Sequence, residues 1–262
     1  MRRESCTFKE ALKILGVTSR PGSHPYLKSE IVDINRLDWT DQAEQFIEES
    51  INTLWSCEGS KALAWLYARG LNDESLKSWK IGYNPCDKWG IPAEWGLSSE
   101  DRCWLPRGIT IPCRDQHGLH YVNIRRPAGD PKYFKIKGSI GWLFGAETML
   151  HAYSAFLFES EFDVILASQT GLGVGFISLP ASSTIPADWA DLFGEVDMVI
   201  VAYDNDEPGR KAADKFVSLP GFHLAEPFPM GKDPTEFVQA GGDLFEWVYG
   251  QLGLLDSGRA KS

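Results

Sequence analysis

The sequence predicts an α/β protein, a mixed α+β N-terminal subdomain followed by a mostly parallel sheet flanked by helices. Three observations carry that prediction. From about residue 155, short apolar runs alternate with helical segments, the order expected of parallel strands joined by crossover helices. Runs such as 156–158 and 198–203 are largely apolar without alternation, as strands covered on both faces are. Upstream the pattern differs, because helix-period residues between 40 and 79 lead into two strands that alternate with period two.

In chain order, a short helix at 7–15 ends at Gly16, and 19–25 reads as a linker. An amphipathic helix follows Thr40, with Ala43, Phe46, Ile47, Ile51, Leu54 and Trp55 on one stripe. Gly59-Ser60 opens a second helix that stops at Gly70, and Asp73 caps a third through Trp79. Residues 108–112 and 119–124 form a hairpin turned at 114–118. Later strands are expected at 156–158, 175–179, 198–203 and 222–228, with a helix at 161–167 and another after Glu207. A packing helix at 244–249 and a disordered tail at 255–262 close the chain. The expected division is 1–106, mainly helical; 107–150, a basic β element; 151–254, the sheet domain with its C-terminal helix; and 255–262, the tail.

Bulk properties exclude several classes. Apolar residues make up 43% and charged residues 24% of 262 positions, the balance of an ordinary globular chain. No apolar stretch approaches a membrane span, so a cytoplasmic protein is expected. Cys6, Cys57, Cys86, Cys103 and Cys113 are odd in number and contain no C-x-x-C pair, against a disulfide framework or a structural zinc site. Gly171-Leu172-Gly173-Val174-Gly175 follows a helix and precedes a strand, the reverse of a dinucleotide-binding turn, and reads as a tight connection. The five histidines read as structural or exposed, without carboxylate partners.

A net charge of −10 is unusual for a protein of nucleic acids, but the charge is unevenly spread. Arg114, Arg125, Arg126, Lys132, Lys135 and Lys137 face only Asp115 and Asp130 across 114–137, interleaved with Tyr121, Tyr133 and Phe134. Such a segment suits a single strand held by phosphate contacts and base stacking. Taken alone it is also a solvated hairpin face.

The most informative residues are Asp204-Asn205-Asp206-Glu207, directly after the apolar run ending at Tyr203. Carboxylates at i and i+2 of an extended backbone point to one side, and such oxygens seat Mg²⁺. Taken alone, the spacing also fits an acidic turn whose aspartate caps the next helix. Upstream, the apolar run 156–158 ends in Glu159, and Asp163 lies four residues on, where the two can share a face.

A strand ending in Glu, a helix carrying Asp, and a later strand ending in Asp-x-Asp resemble a TOPRIM signature. Residues 157–163 resemble the first acidic motif of bacterial and phage DNA primases, and residues 201–213 the second. Pro229-Met230-Gly231-Lys232-Asp233-Pro234-Thr235-Glu236 is similar to a third element that adds Asp233. Residues 131–145 resemble the basic element leading into TOPRIM in phage primase–helicases, and 64–85 resemble the N-terminal part of the primase core. Ser160 and Thr235 depart from the family pattern, which usually has a glycine and a second aspartate there.

The resemblance implies a nucleotidyltransferase making RNA primers on single-stranded DNA from nucleoside triphosphates. It makes Glu159, Asp204 and Asp206 catalytic, and Glu159, Asp163, Asp204, Asp206 and Asp233 ligands of Mg²⁺ or Mn²⁺. It gives Arg69, Arg125, Arg126, Lys132, Lys135 and Lys137 to nucleotide or DNA. The zinc-binding module and helicase domain that accompany such cores are not legible here, so a replicative helicase or a template-recognition protein is expected to act in trans. Such a core suits a mobile element. Two other readings stay open: a TOPRIM nuclease using the same carboxylates on water, and a non-catalytic DNA-binding accessory module.

Overall fold

The computed structural model describes residues 34–179, 189, 193 and 196–259. The expected helix at 7–15, the linker at 19–25 and the segment between the second and third parallel strands lie wholly or largely outside them. Chain contacts divide the protein at residues 142/143 into two compact units. The strand pair at 108–125 therefore sits with the helices before it, and 143–150 with the later sheet, in place of a separate 107–150 element.

The first unit begins with helix α1 (Arg36–Leu54), α2 (Ser60–Ala68) and α3 (Asp73–Ser78). α1 starts before Thr40, where the sequence places it, because Asn35 caps it by accepting from the Leu37 N–H. Trp39, Ala43, Phe46, Ile47 and Leu54 form its buried stripe, close to the predicted one. α3 is capped by Asn72, not Asp73: the Asn72 side chain accepts the Ser75 N–H at 2.8 Å.

Strands β1 (Gly82–Asn84), β4 (Gly108–Asp115), β5 (Gly118–Arg125) and β6 (Tyr133–Lys135) build an antiparallel sheet in the order β1-β4-β5-β6. The ribbon of β2 (Lys88–Gly90) and β3 (Cys103–Leu105) lies between β1 and β4 in sequence. Trp39, Phe46, Trp95, Leu105, Val122 and Ile124 share the core beneath. Arg36 is tied into that core, donating to the carbonyls of Gly138, Leu119 and His120, and burial pulls its guanidinium down to about 10.

The second unit holds β7 (Ser154–Phe158), α4 (Glu161–Ser168), β8 (Gly175–Ser178), β9 (Met198–Ala202), α5 (Glu207–Ala213), β10 (Phe222–Leu224), α6 (Pro234–Gln239) and α7 (Leu244–Arg259). Its sheet is parallel throughout, in the order β10-β9-β7-β8, with Phe158 opposite Ala202. The continuous apolar runs are explained by burial on both faces, since every residue of β8 and β9 is buried. Phe156 packs near Phe158, Phe176 and Trp247 at ring separations of 6.0–6.2 Å.

β10 is shorter than the strand expected at 222–228: it ends at Leu224, with the Ala225 N–H still donating to the Val201 carbonyl at 3.0 Å. α7 continues through Arg259, so residues 255–259 are helical, where the sequence predicts a disordered tail. No described helix is long and apolar enough to cross a membrane.

Candidate active site

In the parallel sheet β7 is flanked on one side by β8 and on the other by β9, so the order reverses between β7 and β9. Crevices beyond the carboxyl ends of strands at such a reversal are where open α/β sheets bind ligands. Glu159 follows the last residue of β7 and is exposed, while Asp204 lies two residues past the end of the neighbouring β9. Register alone therefore brings two carboxylates, 45 positions apart in the chain, to one crevice.

Two helix starts complete the site. Asp206 caps α5, its Oδ1 accepting the Gly209 N–H at 2.9 Å. Asp233 caps α6 in the same way, its Oδ1 accepting the Glu236 N–H at 2.8 Å. Each commits one oxygen to its helix and keeps Oδ2 toward Lys232. The Lys232 ammonium stands 3.4 Å from Asp204 Oδ2, 3.8 Å from Asp206 Oδ2 and 4.0 Å from Asp233 Oδ2. Asp206 thus caps its helix with one oxygen, as one reading of the turn expects, and keeps the other on the Lys232 side, because a carboxylate has two oxygens.

The electrostatics follow from this crowding. Burial, then the neighbouring charges of Glu159 and Asp233, push the Asp204 carboxyl up to about 6, against the opposing pull of Lys232. Lys232 in turn is held above the usual lysine range, chiefly by Asp204. The two shifts are compatible: the lysine sees mainly negative neighbours, whereas Asp204 sees burial and two carboxylates for one ammonium. Tyr203 is raised by burial and then by Glu159.

Asp163 does not join the exposed group. It is 3% exposed, and its Oδ2 accepts the Ser160 hydroxyl at 2.6 Å, with Ser160 capping α4. Glu159 and Asp163 do not share an exposed face, since Asp163 is buried and Glu159 lies before the Ser160 cap of the helix. At the position where the family pattern has glycine, Ser160 supplies both the cap and the Asp163 partner.

Among the described residues no three His, Cys, Asp or Glu side chains stand as a ready-made metal cage. The donor set nonetheless fits a hard divalent cation: the groups in this crevice are carboxylate oxygens, with no thiolate or imidazole. Lys232 is a site residue that the motifs do not single out. Its signal in the sequence is a cation immediately before Asp233 in an otherwise acidic motif.

The predicted basic residues lie in the first unit. Arg125 lies over the Trp65 ring at 4.1 Å and Arg69 over the same ring at 5.1 Å, so the two meet at one tryptophan. Burial, and further down the charge of Arg69, lower the Arg125 guanidinium. Arg126 lies over Trp104 at 4.9 Å and Lys135 over Tyr121 at 4.5 Å. Lys137 donates to Ser99 at 2.6 Å, and Lys132 is exposed.

A cleft of about 320 Å³ is lined by Lys61, Trp65, Tyr83, Arg107 and Arg125, among others. Of these only Arg125 is foreseen from the sequence, since the others are scattered along the chain. His120 departs from the expectation of partnerless histidines: its Nε2 lies 2.8 Å from Asp115 Oδ1, and its ring stacks on buried Trp142 at 4.4 Å. The β4–β5 hairpin sets His120 and Asp115 near its turn.

With this geometry in place, comparison with known proteins gives consistent likenesses. A Toprim-like family model matches residues 156–238, the span from β7 to α6. The DNA primase of Geobacillus stearothermophilus is 27% identical over 222 aligned residues, which cover 72% of this chain and 37% of that protein. The DNA primase of Pasteurella multocida is 24% identical, covering 92% and 48%. The chain spans less than half the length of these relatives. A DnaG primase catalytic domain, solved bound to ssDNA, superposes with a TM-score of 0.66 at 21% identity, over 84% of this chain and 79% of that one. The chain has the fold of a bacterial primase catalytic core. The stretch matched by the Toprim-like model carries Glu159, Asp204, Asp206 and Asp233.

Proposed function

We propose that the chain is the catalytic part of a DNA primase, joining ribonucleotides into short primers on a single-stranded DNA template. The observation that carries this reading is the convergence of Glu159, Asp204, Asp206 and Asp233 on the β7/β9 crevice of a primase-core fold. A divalent cation, Mg²⁺ with Mn²⁺ as a substitute, would supply Lewis-acid stabilisation of charge on the attacking and leaving oxygens of phosphoryl transfer. Asp204, Asp206 and Asp233 would hold it through the oxygens now turned to Lys232, and Glu159 from the β7 side.

The remaining roles belong to the chain's own groups. Glu159, exposed at the strand end, would accept the proton of the attacking hydroxyl. Asp163 acts from behind, fixing Ser160 and the start of α4 beside Glu159. Arg69, Arg125, Arg126, Lys132, Lys135 and Lys137, with Arg107 and Lys61, would neutralise phosphates of template and nucleotide, and Trp65 and Tyr83 would offer faces to bases. Start-site recognition would come from a helicase or template-binding partner.

Incorporation of labelled ribonucleotides on single-stranded DNA with Mg²⁺ or Mn²⁺, beside the Asp204→Asn variant, tests the reading. Metal-dependent products made by the parent chain and absent from the variant are expected. Cleavage of the DNA without incorporation would assign the carboxylates to a nuclease instead.

A further inference from the structure

Lys232 is set among the acidic groups by more than its own flexible side chain. Its backbone carbonyl accepts the Asn205 N–H at 2.7 Å, which ties it to the Asp-x-Asp turn. Its backbone N–H donates to Glu236 Oε2 at 3.0 Å, which ties it to the first turn of α6. Gly231 before it has φ +74, and a Cβ there would stand 2.6 Å from the Glu236 Cβ. The chain is therefore bent into a conformation suited to glycine so that the next residue can lie between two aspartate-capped helices.

We infer that Lys232 is a resident cation surrogate, holding the aspartates apart from one another until a divalent ion displaces its ammonium. Three Oδ2 atoms surround Nζ at 3.4–4.0 Å, wider than the roughly 2.0–2.1 Å of a Mg²⁺–oxygen bond. A metal drawing in the same oxygens would stand close to the ammonium, and two positive charges at such range repel. Binding and the lysine contacts therefore exclude each other. The inference rests on the proposed reading only in that these carboxylates bind a divalent ion, and it makes Lys232 a positioning residue that sets the metal affinity.

The experiment uses the full chain, its Lys232→Met variant and its Asp204→Asn variant, with Mn²⁺ binding followed by electron paramagnetic resonance. Thermal midpoints are measured in EDTA and in saturating Mn²⁺. Lys232→Met should bind Mn²⁺ about tenfold more tightly, the scale of removing one charge repulsion in a partly screened site. It should also melt below the parent in EDTA and level with it in Mn²⁺, because the lysine contacts exist only in the metal-free state. A purely structural lysine would lower both midpoints equally and leave the affinity unchanged, which would overturn the inference. If the parent binds Mn²⁺ and Asp204→Asn does not, that failure is confined to Lys232. If the parent binds none, both this inference and the metal reading fall.

Discussion

Replacing Asp204 with Asn keeps the shape of the side chain and removes the charge that burial and two neighbouring carboxylates already disfavour. Incorporation should fall by about a hundredfold or more, the scale seen when a charge-stabilising group is removed. Template binding, measured by fluorescence anisotropy, should stay near that of the parent chain. The same residue gives a pH dependence. Its folded carboxyl titrates near 6 against a usual 3.8, so between those values the folded state holds a proton that the unfolded state has released. This contribution to stability falls as pH rises from about 4 to 6, and above that the cost of ionising Asp204 is fully present. Urea unfolding in EDTA should show that slope, and Asp204→Asn should remove it. The Asp-x-Asp turn is readable from sequence because both carboxylates belong to one short segment. Lys232 and Trp65 are not, because their roles come from neighbours distant in the chain: Asp204 for the one, Arg125 for the other.

At the scale of elements, the helix starts do two jobs, and substitutions there should show it. Ser160→Ala removes the cap of α4 and the hydroxyl on Asp163, so it should cost about 1 kcal/mol in chemical denaturation. Gly209 lies in the first turn of α5, where a Cβ would stand 2.2 Å from the Asp204 carbonyl oxygen. Gly209→Ala should therefore cost about 1–3 kcal/mol by overpacking and reduce incorporation by moving Asp204. Gly173→Ala, in the loop before β8 with nothing within 4 Å, should be neutral in both measurements. Most elements are legible because their periods are distinct: a helical stripe in α1, alternation in β4 and β5, unbroken apolar runs in β7 and β9. Their ends are less so where side-chain caps decide them, as at Asn35 and Asn72. The C-terminus also differs, since α7 runs to Arg259.

For the whole molecule, the acidic crevice and the basic, aromatic cleft belong to different compact units. Their contributions should separate in experiment. Removing Arg126 or Lys132 should weaken single-stranded DNA binding at any sequence. It should also flatten the dependence of log K on log salt by about 0.7 for each phosphate no longer neutralised. Mn²⁺ binding should be untouched by either change. A salt slope unaltered by both substitutions would remove them from the template path.

The order of apolar runs and turns determined the two architectures, one antiparallel and one parallel, because a tight hairpin turn and a crossover helix leave different local signatures; alternation in β4 and β5 did not mean one exposed face, since residues 108–113 and 119–124 are buried throughout. Only the tertiary structure decided which charged groups meet. The reversal between β7 and β9 sets Glu159 beside Asp204, and a strand end and two capped helix starts surround one ammonium. Charge interactions depend on separation in space, and the spacing of residues along the chain does not encode that separation.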